Sequence, residues 1–592
     1  MDYLITNGMI DEGRVVDSFK KYSKDSDTDT VVKRIGGWWV AFGGSPYPGF
    51  EPFEDDNYFV LVLGAPLLRA DRSDLKSFRR SDLTAQALNY LIAENDHDPN
   101  AFLGGFQIVV FDKISNSVSI FNDKVGLVPI YYSNLNPDNS GFNELWFSSH
   151  VDVLARSWPS DNAIDAVSVA DFLAFQTVTF PFTFYKDIFQ VDPSSWKRVT
   201  ADGFEILKDF TVQKLDVCRY SSIEESADHL FNLVKEAEDR IYSYSGGCLN
   251  ILFSGGEDSR ALLCTLDDPA KVRAYTVCDS FNAEARIAKT VCDKAGCEWE
   301  LVERPPTHYM DNILSSVRVS ESHNFFYHAH FNGFEQFDDS GKVFMGGLAA
   351  DAFCKAAKVR KVSGFGIVKD YDKEFWQYRG TKNLLKTGAF HDPVFARRHR
   401  HNLDAKKKYG VSWQEYHALY PASMNTNFAN FFINRRLFAS FEPFADGSVF
   451  EWSVQTPVGW KLNRRVFHLA FKESFLKCWS IPNSKGTFPY FGYRINGPLL
   501  WGIENFKKRM RGLKRRFNAR VVNDGPWPVW RNVVQSDKFR QQRIQAHETP
   551  LRSLLGSEAF ELLETSLDSN DPVQALAGLH VKTWAEDFMQ LR

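Results

Sequence analysis

Asn250-Ile251-Leu252-Phe253-Ser254-Gly255-Gly256-Glu257-Asp258-Ser259 is the stretch that decides the fold of the larger part of this chain. Its first four residues are uncharged and three of them are apolar, which is typical of a buried strand in a parallel sheet. A run of helix-forming residues, 260–266, follows directly. The stretch therefore predicts a loop that leaves the carboxyl end of a strand and enters the amino end of a helix.

A loop in this position has the chemistry of a polyphosphate site. Free backbone N–H groups and the positive helix end attract phosphate oxygens, and Gly255 and Gly256 let the backbone approach them. Ser254 and Ser259 add hydroxyl donors, and the carboxylate of Asp258 suits magnesium. The stretch has neither the Walker spacing G-x-x-x-x-G-K-[ST] nor the dinucleotide spacing G-x-G-x-x-G. A tight strand-to-helix turn without a ligand is the alternative.

The sequence after this loop alternates between strand and helix patterns. It predicts, in order, a strand at 272–277, a helix at 283–295, a strand at 299–302 and a strand at 342–345 that ends in Gly346-Gly347. From about residue 370 onward the pattern is mostly helical. This order predicts an α/β parallel sheet with a helical C-terminal part.

The first two hundred or so residues have a different pattern. Short β-prone runs at 58–63, 106–111 and 117–121 are separated by turn residues, which indicates a layered antiparallel domain. A helical period begins at Ile223. We therefore expect a domain boundary near residue 215, with one domain at 1–215 and a second at 216–592.

The composition excludes several classes of protein. Lysine and arginine total 70 against 74 aspartate and glutamate, so no global field attracts nucleic acid, and we expect no such partner. No run reaches the roughly 18 apolar residues of a membrane helix, and the first residues show no leader pattern, so we expect a cytoplasmic protein without a membrane partner. None of the eight cysteines forms a C-x-x-C pair, which favours free thiols.

The loop at 254–259 resembles the pyrophosphate-binding loop of the N-type ATP pyrophosphatases, whose usual form is S-G-G-x-D-S. In that family the loop grips the pyrophosphate end of ATP and leaves the α-phosphorus open to attack. The resemblance implies ATP and Mg²⁺ as cofactors, with AMP and pyrophosphate as products.

Over residues 100 to 490 the chain is similar to the asparagine synthetase-like family. The runs that carry the resemblance are Phe102-Leu103-Gly104-Gly105-Phe106, Phe111-Asp112, 122–132, Trp146-Phe147-Ser148-Ser149, Gly346-Gly347-Leu348-Ala349-Ala350-Asp351 and Glu442-Pro443-Phe444-Ala445-Asp446. The resemblance implies an N-terminal α+β domain of the Ntn-hydrolase-like layered type. It implies that an α/β ATP pyrophosphatase domain follows.

Three departures from the family pattern limit the function. One is that the basic residue of the family's K-x-x-L-R helix falls on Arg464, which keeps the positive charge but cannot act as a proton carrier. The glutaminase nucleophile is a cysteine directly after the initiator methionine, whereas this chain has Asp2 and no cysteine before Cys218. A carboxylate cannot replace a thiolate, so we expect no ammonia from glutamine. Leu348 stands in place of a glutamate that helps hold the amino acid substrate, which argues against aspartate as substrate. In these departures the chain resembles β-lactam synthetases and lasso-peptide cyclases, in which the first domain has become a scaffold and the amine comes from the substrate itself or from a second substrate.

The family pattern assigns roles to further residues. Asp258 and Asp351 would hold magnesium at one sheet edge, although Asp351 could also be an ordinary turn aspartate. Glu284 would contact that magnesium or cap its helix. Leu252 and Val277 would bracket adenine through backbone contacts, or serve only as core residues of the sheet. The remaining candidates are three cations that would face phosphate or serve as structural bases, namely Lys461, Arg464 and Lys485.

These features predict an ATP-dependent ligase that adenylates a carboxylate of a small molecule or peptide and couples it to an amine. A peptide macrolactam cyclase and an inactive nucleotide-binding scaffold are the alternatives. A basic segment provides a surface for an anionic partner, or else a solvated helix face. Its basic residues are Lys507, Lys508, Arg509, Arg511, Lys514, Arg515, Arg516 and Arg520.

Overall fold

The structure is a computed structural model of the full chain. It describes residues 1–22, 30–69, 82–93, 97–135, 144–159, 163–200, 203–212, 218–337, 341–371, 383–385, 388–410, 413–416, 419–516, 525–544 and 548–590. Two sequence predictions fall outside these residues, namely the domain boundary near 215 and the side chains of the basic segment at 507–520.

The first part of the chain contains two six-stranded antiparallel sheets, as the strand pattern predicts. The strands are β1 (Tyr3–Thr6), β2 (Val31–Ile35), β3 (Trp38–Phe42), β4 (Phe53–Glu54), β5 (Tyr58–Gly64), β6 (Leu67–Leu68), β7 (Phe102–Leu103), β8 (Phe106–Asp112), β9 (Ser117–Asn122), β10 (Tyr131–Leu135), β11 (Glu144–Ser148), β12 (Phe189–Gln190), β13 (Ser195–Thr200) and β14 (Gly203–Asp209). One sheet has the order β12-β10-β11-β1-β3-β2 and the other the order β14-β13-β9-β8-β5-β4, and β6 and β7 form a separate pair. The helices are α1 (Glu12–Tyr22), α2 (Leu83–Ala93), α3 (Val151–Ser157) and α4 (Ala166–Phe175).

Strand β5 shows how these layers are built. Its side chains alternate between the two faces of the sheet, so Phe59 and Leu61 pack between the two sheets while Val60 and Val62 face α2. All four side chains are buried. This double burial explains why the run is apolar throughout instead of alternating with polar residues.

The second part contains a five-stranded parallel sheet in the order β17-β16-β15-β18-β21, which confirms the predicted α/β class. Its strands, with the antiparallel hairpin β19–β20, are β15 (Leu249–Leu252), β16 (Val272–Cys278), β17 (Glu298–Glu303), β18 (Val343–Met345), β19 (Lys361–Gly364), β20 (Ile367–Tyr371) and β21 (Ala439–Phe441). The sequence pattern predicts neither β21 nor the hairpin, because each run is too short to show a clear periodicity.

Helices surround this sheet and form the C-terminal part, as predicted. They are α5 (Ile223–Tyr244), α6 (Glu257–Thr265), α7 (Ala283–Ala295), α8 (His308–Asp311), α9 (Ile313–Ser320), α10 (His391–Tyr409), α11 (Trp413–Tyr416), α12 (Ala429–Leu437), α13 (Gly447–Gln455), α14 (Val458–Lys461), α15 (Arg465–Ala470), α16 (Lys472–Leu476), α17 (Tyr493–Arg516), α18 (Trp530–Val534), α19 (Asp537–Ile544), α20 (Glu548–Leu555), α21 (Ser557–Leu567) and α22 (Pro572–Met589). Within the described ranges, no helix is both long and apolar enough to cross a membrane.

The end of the described chain packs against the first part. Trp584 of α22 lies in one apolar core with Phe172 and Phe184, and its indole N–H lies 3.3 Å from the Asp152 carboxylate. The two parts of the chain therefore share a core, which the linear order of patterns did not show.

Candidate active site

The loop between β15 and α6 has the backbone of an anion cradle. Gly255 adopts φ +68°, and a Cβ there would lie 3.0 Å from the backbone nitrogen of Ala288. Gly256 precedes α6 and provides no side-chain cap for the first helical turn. The exposed Ser254 hydroxyl lies 3.3 Å from the Ser259 hydroxyl. The first turn of α6 thus keeps its positive end available to a phosphate.

Two strand ends bring the predicted carboxylates together. Strands β15 and β18 are parallel neighbours, so their carboxyl ends lie at one sheet edge. A Cβ on Gly347 would lie 3.1 Å from the Cβ of Asp258, which places the two loops in contact. Asp351 follows on a short, wide helical turn, Ala350–Cys354. The predicted proximity of Asp258 and Asp351 is therefore present in the fold.

Lys355 lies between these carboxylates, and the sequence analysis missed it. Its ammonium forms an ion pair with Asp258, lies 3.1 Å from Asp351 and lies 3.6 Å from Glu257. Its side chain is only 4% exposed. Burial lowers the pKa of Lys355, but the three carboxylates outweigh burial and raise that pKa above its ordinary value. A lysine four residues after a candidate metal ligand is the only signal that the sequence offered.

Arg464 also contacts the charged cluster that Lys355 forms with Glu257, Asp258 and Asp351. Its Nε lies 3.2 Å from Glu257, and the Nε2 atom of His468 lies 3.5 Å from the other oxygen of that carboxylate. Burial opposes ionisation of Glu257, but His468, Lys355 and Arg464 hold its pKa well below the ordinary value. Glu257, the variable position of the loop motif, is thus the inner carboxylate of the cluster.

Lys461 is engaged elsewhere. Its ammonium is fully buried, pairs with Glu415 at 2.7 Å and donates to the Ser453 carbonyl at 2.7 Å. The Tyr416 hydroxyl lies 3.3 Å away. Asn463 and Arg464 both have positive φ, so the chain turns between Lys461 and Arg464 and directs the two cations to different surroundings. Arg464 is the one that faces the Asp258 cluster, and a phosphate-facing role for Lys461 stays a prediction.

Arg260 connects the loop at 254–259 to the segment around Lys485. Its buried guanidinium donates to the Gly255 carbonyl at 2.8 Å and to the Ile481 carbonyl at 2.6 Å. The Lys355 ammonium is the main cause that lowers the pKa of Asp351, and the charge of the exposed Lys485 adds to it. Lys485 also opposes the burial that raises the pKa of Glu284. Lys485 therefore lies within electrostatic reach of both carboxylates.

Glu284 does not cap its helix, because Asn282 does so by accepting from the Ala285 N–H at 3.1 Å. Glu284 is buried, and burial raises its pKa to about 7 although Ser484 and Lys485 oppose that shift. Its contact with magnesium stays a prediction.

Leu252 and Val277 stand on neighbouring strands of the parallel sheet. Both are partly exposed and pack against the same apolar cluster. This arrangement leaves apolar surface at the sheet edge beside the loop. Contact of this surface with an adenine ring stays a prediction.

A cleft of about 260 Å³ opens over the charged cluster. Its outer wall comes from the hairpin β19–β20 and helix α17. The residues that line it are Asp351, Lys355, Ala357, Lys361, Gly366, Val368, Asn463, Arg464, His468, Thr487, Tyr493, Asn496, Gly497 and Leu500. The cleft thus combines a charged floor with a largely apolar wall.

Leu348 and Glu442 meet beside this site. The Leu348 N–H donates to Glu442 at 2.8 Å, and its side chain packs against the large apolar core. Burial raises the pKa of Glu442 to about 8, although the Leu348 N–H opposes that shift.

The position expected for a glutaminase nucleophile holds an ion-pair network. Asp2 pairs with Arg435 and Arg436 at 2.8 Å each and accepts from the Ser149 hydroxyl at 2.8 Å. Burial raises the pKa of Asp2, but the two guanidinium groups outweigh burial and hold that pKa well below its usual range. An ionised, paired carboxylate has no nucleophilic role in opening an amide.

Comparison with known proteins bears on the first part of the chain. No curated protein matches it closely enough to be named as a relative. Residues 76–211, which span α2 to β14, match the family model of a glutamine amidotransferase domain. The first part of this chain is therefore similar to a glutamine amidotransferase domain.

Proposed function

We propose that this protein is an ATP-dependent ligase that forms an amide bond, with AMP and pyrophosphate as products. The observation that carries the proposal is the meeting of Asp258 and Asp351 beside the glycine loop, at the carboxyl edge of the parallel sheet. The proposal divides the chain at about residue 215. The first part is a glutamine amidotransferase-like domain of the Ntn-hydrolase type without its nucleophile, and residues 216–592 carry the synthetase.

In this proposal the loop holds the pyrophosphate end of ATP. Ser254, Gly255, Gly256 and Ser259 surround the open first turn of α6, which favours negative charge. Arg464 and Lys485 add positive charge from the other side of the cluster. Leu252 and Val277 offer apolar surface to the adenine ring.

The residues fit magnesium. Asp258 and Asp351 already share one cation, the Lys355 ammonium, so their oxygens converge on a common point of positive charge. Mg²⁺ prefers one or two carboxylates together with substrate phosphates, which matches this donor set. When bound, the ion would neutralise charge on the leaving pyrophosphate.

The reaction then follows from positioning. An oxygen of the substrate carboxylate attacks the α-phosphorus, and the bond to the pyrophosphate oxygen breaks. The amine nitrogen next attacks the acyl carbon, AMP leaves, and the nitrogen loses a proton to solvent. The protein residues hold the reactants and stabilise developing charge instead of forming covalent bonds.

The amine in this proposal does not come from glutamine, because the nucleophile position holds Asp2, whose carboxylate pairs with Arg435 and Arg436. It belongs to a second substrate or, in a macrolactam cyclase, to the same molecule. The cleft above Lys355 and Arg464, with an apolar wall, fits a carboxylate on an apolar body.

One observation favours a different class, an inactive nucleotide-binding scaffold. Lys355 neutralises the two carboxylates that a catalytic metal would need. Exchange of labelled pyrophosphate into ATP, screened over small-molecule and peptide carboxylates, separates the two functions. The ligase gives exchange with at least one carboxylate class and releases AMP. A scaffold binds a non-hydrolysable ATP analogue in calorimetry but gives no exchange with any class.

A further inference from the structure

The feature that the proposed function leaves unexplained is the place of Lys355. Its ammonium bridges Asp258 and Asp351, which approach it from different loops, and it also faces Glu257. The ring of Phe467 supports the ammonium from another side, with the nitrogen 4.4 Å from the ring centroid. Lys355 is thus held in one position by carboxylates and an aromatic face.

The charges of the cluster place the Lys355 ammonium where a divalent cation would bind. Glu257, Asp258 and Asp351 surround the Lys355 ammonium with negative charge. Glu257 and Lys355 are buried, where unpaired charges are costly, whereas Asp258 is partly exposed and Asp351 is exposed to solvent. Lys355 and Arg464 supply the opposing positive charge. A divalent cation bound by Asp258 and Asp351 would meet the Lys355 ammonium at the same point, and two cations there repel each other.

We propose that Lys355 is a tethered cation that competes with a divalent metal for Asp258 and Asp351. Without nucleotide the ammonium occupies the shared point between the two carboxylates, so they bind the metal weakly. Phosphate oxygens of the nucleotide offer Lys355 an alternative partner and release the carboxylates to the metal. The release of the carboxylates by nucleotide rests on the proposed function, whereas the competition between Lys355 and the metal does not.

The tether is suited to such an exchange. Lys355 directly follows the wide turn Ala350–Cys354 and stands four residues after Asp351, so it shares a short segment with one of the two carboxylates. A lysine side chain carries its charge on four rotatable bonds, which lets the ammonium change partners while the backbone stays in place. The metal and the nucleotide would then bind cooperatively.

The experiment titrates the purified full chain with Mn²⁺ and follows free Mn²⁺ by electron paramagnetic resonance, without nucleotide. Lys355→Met is expected to bind Mn²⁺ at least about tenfold more tightly than the wild type, because the competing charge is gone. Lys289→Met is the matched control, since Lys289 forms an i,i+4 pair with Asp293 on the exposed side of α7. It is expected to leave the affinity unchanged.

Two further variants test whether the charge of Lys355 is responsible for weak Mn²⁺ binding. Lys355→Arg keeps the positive charge and is expected to bind Mn²⁺ as weakly as the wild type. Lys355→Gln can still donate hydrogen bonds to both aspartates, so it tests the same point if Lys355→Met does not fold. Unchanged or weaker Mn²⁺ binding in the folded neutral variant overturns the inference. Tight Mn²⁺ binding without pyrophosphate exchange under any condition would keep the inference and remove the ligase.

Discussion

Arg436 donates through its Nε to the Asp2 carboxylate at 2.8 Å, and its other end pairs with Glu321. The contact joins the amino end of the chain to helix α12, more than four hundred residues later. Asp2 is the position that the sequence resemblance assigns to the nucleophile of a glutaminase. The first part of the chain is similar to a glutamine amidotransferase domain over residues 76–211, and in the structure this position holds a paired carboxylate.

Replacement of Asp2 tests this structural role. Asp2→Asn removes the carboxylate that Arg435 and Arg436 share, although Arg436 keeps its pair with Glu321, and breaking a mostly buried pair of this kind costs about 3–5 kcal/mol. Unfolding in urea should show the loss as a lower midpoint. Asp17→Asn, at an exposed position of α1, serves as the control and should leave the midpoint unchanged. Equal stability of Asp2→Asn and wild type would contradict the structural role.

The same site predicts that glutamine is not a nitrogen donor. The purified protein should release no glutamate from glutamine, because a carboxylate cannot form the thioester that the reaction needs. Glutamate release is measured against a heat-inactivated sample. Activity above that background that is abolished by a thiol alkylator would refute the prediction.

The two carboxylates of the cluster should both be needed for adenylation. Asp258→Asn keeps size and hydrogen bonding but removes the charge, so exchange of pyrophosphate into ATP should fall on the order of a hundredfold or more, or roughly 3 kcal/mol. Asp351→Asn should act similarly. The double variant should lose less than the product of the two single losses, since both groups act on one cation.

The reaction products test the assignment of the loop and the role of Asp351 separately. ADP and phosphate in place of AMP would refute the assignment of the loop. AMP formation that is insensitive to Asp351→Asn would refute only the role of the second carboxylate. Glu564→Gln, on the exposed side of α21, controls for an effect of removing any negative charge.

Leu348 is predicted to be incompatible with a charged side chain. Leu348→Glu places a second carboxylate beside Glu442, which already accepts from the backbone of residue 348, at a cost of several kcal/mol. We expect impaired turnover of the natural substrate and no gain of activity with aspartate. Leu348→Met is the matched apolar control. Equal turnover by wild type and Leu348→Glu would place residue 348 outside the substrate site.

Glu442 predicts a pH-dependent stability. The unfolded chain releases this proton near pH 4.5, whereas burial keeps it on the folded chain up to about pH 8. Folding stability therefore falls as the pH rises between these values. Glu442→Gln cannot ionise, so its stability relative to wild type should increase by about 3–4 kcal/mol between pH 5 and pH 8.

Chemical denaturation at the two pH values measures that difference, and Glu564→Gln again serves as the control. A stability difference between Glu442→Gln and wild type that is the same at both pH values would show that Glu442 ionises freely in the folded protein.

The sequence by itself determined the local architecture of this protein. The apolar run before Ser254, the two glycines and the following helix are contiguous, so their backbone preferences predicted the strand, loop and helix. The alternation of strands and helices then fixed the parallel sheet, and parallel neighbours must bring their carboxyl ends to one edge. Asp258 and Asp351 could therefore be placed together without knowing any long-range contact.

Only the tertiary structure decided which charges meet. Lys355 pairs with Asp258 across 97 positions of sequence, and Asp2 meets Arg436 across 434. Lys461 and Arg464 are three residues apart, yet a turn with positive φ sends one to Glu415 and the other to Glu257. A long charged side chain can reach several partners, and its choice depends on which loops the packed core brings within a few ångströms. Local sequence patterns therefore do not predict which partner such a side chain contacts.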